Sequence, residues 1–251
     1  MIRPRVDVLL AGAPVTSSRG FAGVSTVALV SSGERRILID TGGLGDRPGL
    51  ESGLAAAGLR FEDIDTVVLT HLHFDHAANA ELFPRADLVV HEAELAHATQ
   101  SPHGAGYSAQ ITAAVADHAG LKACTVAELL LTPGVVVLHT PGHTPGSISV
   151  LVDAEERTLV TGDAIKGRAD IAAGSPSGPT TDDDAWIESA RRIIAGADTV
   201  LPGHDVALDL DSGSVAPRGT AVSPFELSPG AQRAESFRPA SSLDFHGRGI
   251  R

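Results

Sequence analysis

The chain has 251 residues and carries 19 Lys and Arg against 31 Asp and Glu, a formal charge of −12, with 43% hydrophobic and 20% charged residues. This suits one soluble domain with a tail, and it argues against a nucleic-acid binder, which needs a cationic face to displace counterions. The single cysteine, Cys124, excludes an internal disulfide and a thiolate metal cage, so any metal must rest on carboxylates and the 11 histidines.

The opening Met1-Ile2-Arg3-Pro4-Arg5-Val6-Asp7 is broken by Pro4 and Asp7 before an export signal could develop, and no apolar run is long enough to span a bilayer. The expectation is therefore a cytoplasmic protein without membrane contact. Val6 to Leu10, Val24 to Val30 and Arg36 to Asp40 read as strands, the last two joined through the turn Ser31-Ser32-Gly33-Glu34. Gly49 to Ala57 reads as a helix, Thr66 to Thr70 as a buried strand and His76 to Leu82 as a short helix. Asp87 to Val90 follows as a strand, Glu92 to Thr99 as a helix and Ser108 to His118 as a helical stretch. Val135 to His139, Ser147 to Asp153 and Thr158 to Thr161 are further strands. Asp183 to Ala195 is an amphipathic helix capped by Asp182 or Asp183, and Thr199 to Leu201 is expected as the final strand.

Hairpins followed by strands with interleaved helices, repeated in the second half, predict an α/β fold: a four-layer αββα sandwich of two mixed β-sheets flanked by helices. The expected domain covers residues 1–210. Residues 211–251 hold 7 Ser, 5 Gly and 4 Pro and are expected to form a tail, which Phe225, Phe237 and Phe245 could dock onto the domain or a second copy in a homodimer.

The chemical signal is His71-Leu72-His73-Phe74-Asp75-His76, where the strand Thr66 to Thr70 stops. Chance supplies this H-x-H-x-D-H pattern in about 0.002 windows for a chain of this composition. At an extended strand end the side chains at i and i+2 project together, so His71 and His73 can grip one cation, while the turn into the next helix lets Asp75 and His76 reach a second. Imidazole with carboxylate suits zinc, iron or manganese better than calcium. Three later turns each put a ligand-type residue after an apolar strand: His143 in Thr140-Pro141-Gly142-His143-Thr144-Pro145-Gly146, Asp163 in Thr161-Gly162-Asp163, and His204 in Leu201-Pro202-Gly203-His204.

In this order the residues resemble the metallo-β-lactamase superfamily, over about Val24 to Asp205. The resemblance implies that His71, His73 and His143 hold one metal and Asp75, His76 and His204 another, with Asp163 bridging them and Asp40 of Ile39-Asp40-Thr41-Gly42 supporting the ligands from behind. It implies two divalent ions, zinc first and iron or manganese next. The run through Ala78, Asn79, Leu82 and Phe83 looks most like the lactonase and esterase-like branch. The function implied is a dinuclear hydrolase that cleaves a small ester, lactone or thioester with a metal-bridging hydroxide, which Asp75 orients before relaying a proton to the leaving group. Lactonases of that branch carry tyrosine three residues after the bridging aspartate. Here Lys166 stands in that place, either to bind a substrate carboxylate or as a solvated loop residue, and the sole tyrosine is Tyr107.

Alternative readings are a mononuclear iron persulfide or thiol dioxygenase, a phosphodiesterase or nuclease of the same superfamily, and a metal site that only staples the fold. His91, His97, His103 and His118 are expected in surface or capping roles, and His139 in packing or support of the ligands. Cys124 is expected as inert core. His103 and Tyr107 could belong to a loop covering the substrate.

Overall fold

The computed structural model describes residues 3–17, 20–101, 104, 106–211 and 214–218. The first half contains β1 (Arg5–Leu10), the short ribbon β2 (Thr16–Ser17) and β3 (Gly20–Phe21), β4 (Val27–Ser32), β5 (Arg35–Ile39), α1 (Arg47–Ala56), β6 (Thr66–Val68), α2 (Phe74–Ala77), β7 (Asp87–His91), α3 (Glu92–Gln100), α4 (Ala109–Ala116) and β8 (Leu121–Cys124). The second contains β9 (Glu128–Thr132), β10 (Val135–His139), β11 (Ile148–Asp153), β12 (Arg157–Gly162), α5 (Arg168–Ala173), α6 (Asp183–Gly196), β13 (Thr199–Pro202), β14 (Leu208–Asp211) and β15 (Ser214–Pro217). Six strands pair in the order β1-β4-β5-β6-β7-β8 and seven in the order β15-β14-β13-β12-β11-β10-β9. Both sheets are mixed, with β5 to β8 parallel in the first and β12 beside β13 parallel in the second.

Strand alternation sorts the side chains into layers. Ala28, Val30, Ile37, Ile39, Val68 and Val89 of the first sheet share one buried cluster with Val135, Val137, Val150, Val160 and Leu201 of the second, so this cluster fills the space between the sheets. Their neighbours Leu29, Leu38, Val67, Leu88 and Val90 pack the opposite way, with Leu50 and Leu54 of α1, Ala98 of α3 and Val115 of α4. Leu159 and Val200 likewise turn outward to meet Trp186, Ala190 and Ile193 of α6. The result is the αββα sandwich anticipated from patterning, with each fully buried aliphatic side chain contributing about 1.5–3 kcal/mol.

Parallel pairing brings the C-terminal ends of β5, β6, β12 and β13 to the same end of their sheets. Strand β10 runs the same way as β12, because both are antiparallel to β11. Chain reversals at these ends therefore gather in one region, which is where open α/β sheets place ligands.

The structure differs from the sequence expectation in several elements. Thr199–Pro202 is followed by two further strands, and the sheet runs past residue 210 to Pro217. The acidic and apolar alternation of Leu208-Asp209-Leu210-Asp211 is the period-two signal for the first of them. The edge strands β8 and β9 were not expected. The Leu129-Leu130-Leu131 run lacks β-branched residues, and the Pro133-Gly134 turn that pairs it with β10 is the stronger marker. The short helix expected at His76 to Leu82 begins at Phe74 as α2 and resumes as a 3₁₀ turn over Ala80–Leu82. Phe225, Phe237 and Phe245 lie outside the described residues.

Candidate metal centre

His71, His143, Asp163 and His204 sit just past strand ends, while Asp75 and His76 lie in α2, and a buried partner holds most of the rings. Where β5 ends, Asp40 takes a left-handed backbone conformation at φ 59°, one that Asp tolerates better than most residues. Its carboxylate, 1% exposed, accepts hydrogen bonds from the Thr70 N–H at 2.7 Å and the Thr70 hydroxyl at 2.8 Å, and from His76 Nδ1 at 2.7 Å. The Thr70 hydroxyl also lies 3.2 Å from His71 Nδ1. One buried carboxylate thus orients His76 directly and His71 through Thr70, turning both Nε2 atoms toward the centre.

His143 follows β10 in a loop pressed against the start of α6. Gly142 has φ 132°, and a Cβ there would lie 2.3 Å from the Trp186 backbone nitrogen, so only glycine fits. His143 Nδ1 donates to the Pro179 carbonyl at 3.2 Å, and His204 Nδ1 donates to the Val24 carbonyl at 2.9 Å. Asp163 follows β12 and is 4% exposed.

The seven residues converge in two groups. The ligand atoms of His71, His73, His143 and Asp163 lie within 4.8 Å of one another, and so do those of Asp75, His76 and His204. Asp163 faces both groups: its Oδ2 is 3.2 Å from His143 Nε2 and 4.0 Å from His71 Nε2, while its Oδ1 is 3.2 Å from His76 Nε2 and 3.0 Å from His204 Nε2. Asp75 Oδ2 lies 3.5 Å from His204 Nε2.

Four atoms here, Asp75 Oδ2, His76 Nε2, Asp163 Oδ1 and His204 Nε2, are buried and lack a hydrogen-bond partner among the described residues. Leaving them so would cost about 1–3 kcal/mol each, and cations accepting their lone pairs would remove that cost. The residues therefore fit divalent metal ions.

The electrostatics are consistent with this. Burial and the neighbouring imidazoles hold His71 and His73 well below the usual histidine range, and burial takes His143 to about 4, so these three rings are neutral at pH 7 and have lone pairs to give. Burial opposes charge on His76 as well, but Asp75, Asp40 and Asp163 outweigh it and raise its pKa well above the ordinary value. Burial would raise the Asp163 carboxyl, yet His204, His143, His76 and Lys166 together hold it well below the usual range.

The remaining expected residues fall in defined places. Lys166 Nζ lies 3.2 Å from Asp163 Oδ2 with its side chain 23% exposed, so it belongs to the site. Tyr107 does not point there with its hydroxyl, which donates to Glu94 at 2.9 Å; burial and the Glu94 carboxylate raise its pKa. His139 donates from Nε2 to the Pro145 carbonyl at 2.9 Å, bracing the loop that carries His143. His91 accepts from the Ala93 N–H and so caps α3, while His118 accepts from the Gly120 N–H. His97 lies on α3, His103 falls outside the described residues, and Cys124 is buried on β8. The residues that sequence reading missed are Thr70, signalled only by its place before His71, and Glu94, fully buried on α3 but indistinguishable in sequence from its solvated neighbour Glu92.

A family model described as the metallo-beta-lactamase superfamily matches residues 20–204. The chain belongs to the metallo-beta-lactamase superfamily. The mouse Metallo-beta-lactamase domain-containing protein 1 is 35% identical over 205 residues, covering 78% of this chain and 71% of the relative. An N-acyl homoserine lactonase of a Bacillus species is 33% identical over 168 residues, which is 61% of this chain and 60% of the relative. A Thermotoga maritima structure assigned to the metallo-beta-lactamases has a TM-score of 0.69 at 28% identity, covering 82% of this chain and 99% of that one. Relatives named as a lactonase and a metallo-hydrolase share this family, and the His and Asp groups of this chain imply divalent metal ions. Among the described residues no helix is long and apolar enough to cross a membrane.

Proposed function

We propose that this chain is a dinuclear metal hydrolase that cleaves a small ester, lactone or thioester. The observation that carries the reading is the two-sided placement of Asp163, with Oδ2 toward His71 and His143 and Oδ1 toward His76 and His204. His71, His73 and His143 would hold one ion, Asp75, His76 and His204 the other, and Asp163 both. Zinc suits this donor set best, and iron or manganese accept the same ligands. When bound, the pair supplies a nucleophile from water near neutral pH and polarises the substrate carbonyl.

The chain's own groups do the rest. Asp75, 3% exposed, is placed to orient the nucleophile and to carry its proton to the departing oxygen or sulfur. Tyr107, tied to Glu94, is not available as a phenol acid. Lys166 is the cation at the site and meets an anionic group on the substrate once Asp163 is engaged by metal. The net charge of −12 disfavours polyanionic substrates, and the lone thiol of Cys124 suits a reducing cytoplasm.

The test is a panel of nitrophenyl esters, lactones, thioesters and bis-nitrophenyl phosphate on metal-quantified protein. Turnover of carboxylic esters, lactones or thioesters that disappears on chelation and returns with zinc is the expected result. Faster cleavage of the phosphodiester, or one iron per chain with oxygen consumption on a persulfide, would overturn it.

A further inference from the structure

Four of the five histidines at the centre have their outward ring nitrogen hydrogen-bonded: His71 to Thr70 Oγ1, His76 to Asp40, His143 to the Pro179 carbonyl and His204 to the Val24 carbonyl. His73 is the exception. Its Nδ1 points inward, 3.0 Å from His71 Nε2 and 3.2 Å from His143 Nε2, and its Nε2 has no hydrogen-bond partner among the described residues. An imidazole without such a bond can rotate over a broad range about its terminal torsion unless packing stops it.

Packing does so from one side. The Tyr107 ring meets the His73 ring at 4.6 Å between centroids with planes 69° apart, and His97 backs the tyrosine at 5.5 Å. Gly106 lies so close that a Cβ there would sit 2.6 Å from His73 Cδ2, and its carbonyl accepts the Phe74 N–H at 2.8 Å. Tyr107 is itself fixed by its hydrogen bond to Glu94 Oε1. The same oxygen accepts the N–H of Leu72, the residue between His71 and His73, at 2.9 Å. Glu94 is 0% exposed and its backbone abuts Gly146 in the His143 loop, where a Cβ would lie 2.1 Å from the Glu94 nitrogen.

We infer that Glu94 and Tyr107 form a positioning unit for the three-histidine half of the centre, Glu94 fixing the Leu72 backbone and the tyrosine, and the tyrosine wedging the His73 ring in place of a hydrogen bond. The inference rests on the dinuclear reading. It makes metal affinity of that half, and not of the Asp75, His76 and His204 half, depend on residues that touch neither ion.

The experiment separates the halves before perturbing them. In a His204→Ala background, zinc affinity measured by chelator competition reports the three-histidine half; in a His143→Ala background it reports the other. Tyr107→Ala and Glu94→Ala should each weaken zinc about 10–100-fold in the first background and change it less than about twofold in the second, while Glu94→Gln, which keeps the acceptor, restores binding in the first. Circular dichroism and thermal melts confirm folding, and Tyr107→Phe, which keeps the wedge and drops only the hydroxyl, gives an intermediate loss should Glu94→Ala not fold. Equal loss in both backgrounds, no loss in the first, or Glu94→Gln as damaging as Glu94→Ala would overturn the inference. Absence of zinc binding by the unsubstituted chain would instead overturn the dinuclear reading itself.

Discussion

Replacing Asp40 with Asn separates the scaffold role of this carboxylate from its control of the ligands. Asn tolerates the left-handed backbone at φ 59°, and its amide oxygen can still accept the Thr70 N–H now held at 2.7 Å by Oδ1. The amide nitrogen then faces His76 Nδ1, where Asp40 Oδ2 now accepts a hydrogen bond at 2.7 Å. Two donors cannot share that contact, so the neutral ring that ligation requires would carry its proton on Nε2, the atom aimed at Asp163 and the centre, and a protonated nitrogen cannot ligate. A hydrogen bond to a charged partner, about 1.5–3 kcal/mol, is lost with it. The His71 side is buffered, because the Thr70 hydroxyl can rotate. Asp40→Asn should therefore fold, bind the first zinc within about threefold of the unsubstituted chain, and bind the second about 10–100-fold more weakly, roughly 1.4–2.7 kcal/mol. Two-site titration against a chromophoric chelator measures both constants. Unchanged affinity at both sites would refute the tautomer argument, and equal loss at both would show that Asp40 acts through the fold as a whole.

Asp163→Ala should lower affinity at both sites by more than about 100-fold and abolish turnover, since one carboxylate serves both groups; metal analysis after desalting checks this, and retention of two ions would remove Asp163 from the centre. Lys166→Met should raise KM about 10-fold or more for substrates carrying a carboxylate, a charge-assisted hydrogen bond being lost, and leave neutral esters within about twofold; equal effects on both would assign Lys166 to the fold. His91, 6% exposed and stacked on His139 at 4.0 Å, has its pKa lowered to about 4 by burial and by that neighbour. The unfolded ring takes a proton near 6.5 and the folded ring only near 4, so its contribution is constant above pH 6.5 and stability falls as pH drops from there toward 4, by at most about 3 kcal/mol. Urea midpoints of the unsubstituted chain and His91→Gln should diverge across that window, and parallel curves would count against a buried neutral His91.

The fold was legible where patterning is strong: the strand read over Arg36 to Asp40 and the capped amphipathic helix over Asp183 to Ala195 appear in the structure as Arg35–Ile39 and Asp183–Gly196. Edge strands were not, because β9 relies on leucines and a Pro-Gly turn, with no β-branched run. At the centre, residues with metal-binding side chains at short spacing could be read directly from His71 through His76. What sets their ring orientation could not. Thr70, Glu94 and the carbonyls of Val24 and Pro179 act by position alone, and nothing in the spacing of a buried glutamate tells it from an exposed one. Tyr107 shows the same limit: its segment, with Gly104 and Gly106, could be read as a loop, but nothing in the sequence indicated that its hydroxyl meets Glu94 and its ring His73.

The central claim is that one carboxylate stands between two cation sites. Anomalous diffraction from crystals of the zinc-loaded protein, recorded on both sides of the zinc edge, tests it most directly. The account predicts two peaks flanking Asp163, one among His71, His73 and His143, the other among Asp75, His76 and His204. A single peak, or none within bonding distance of Asp163, would contradict it.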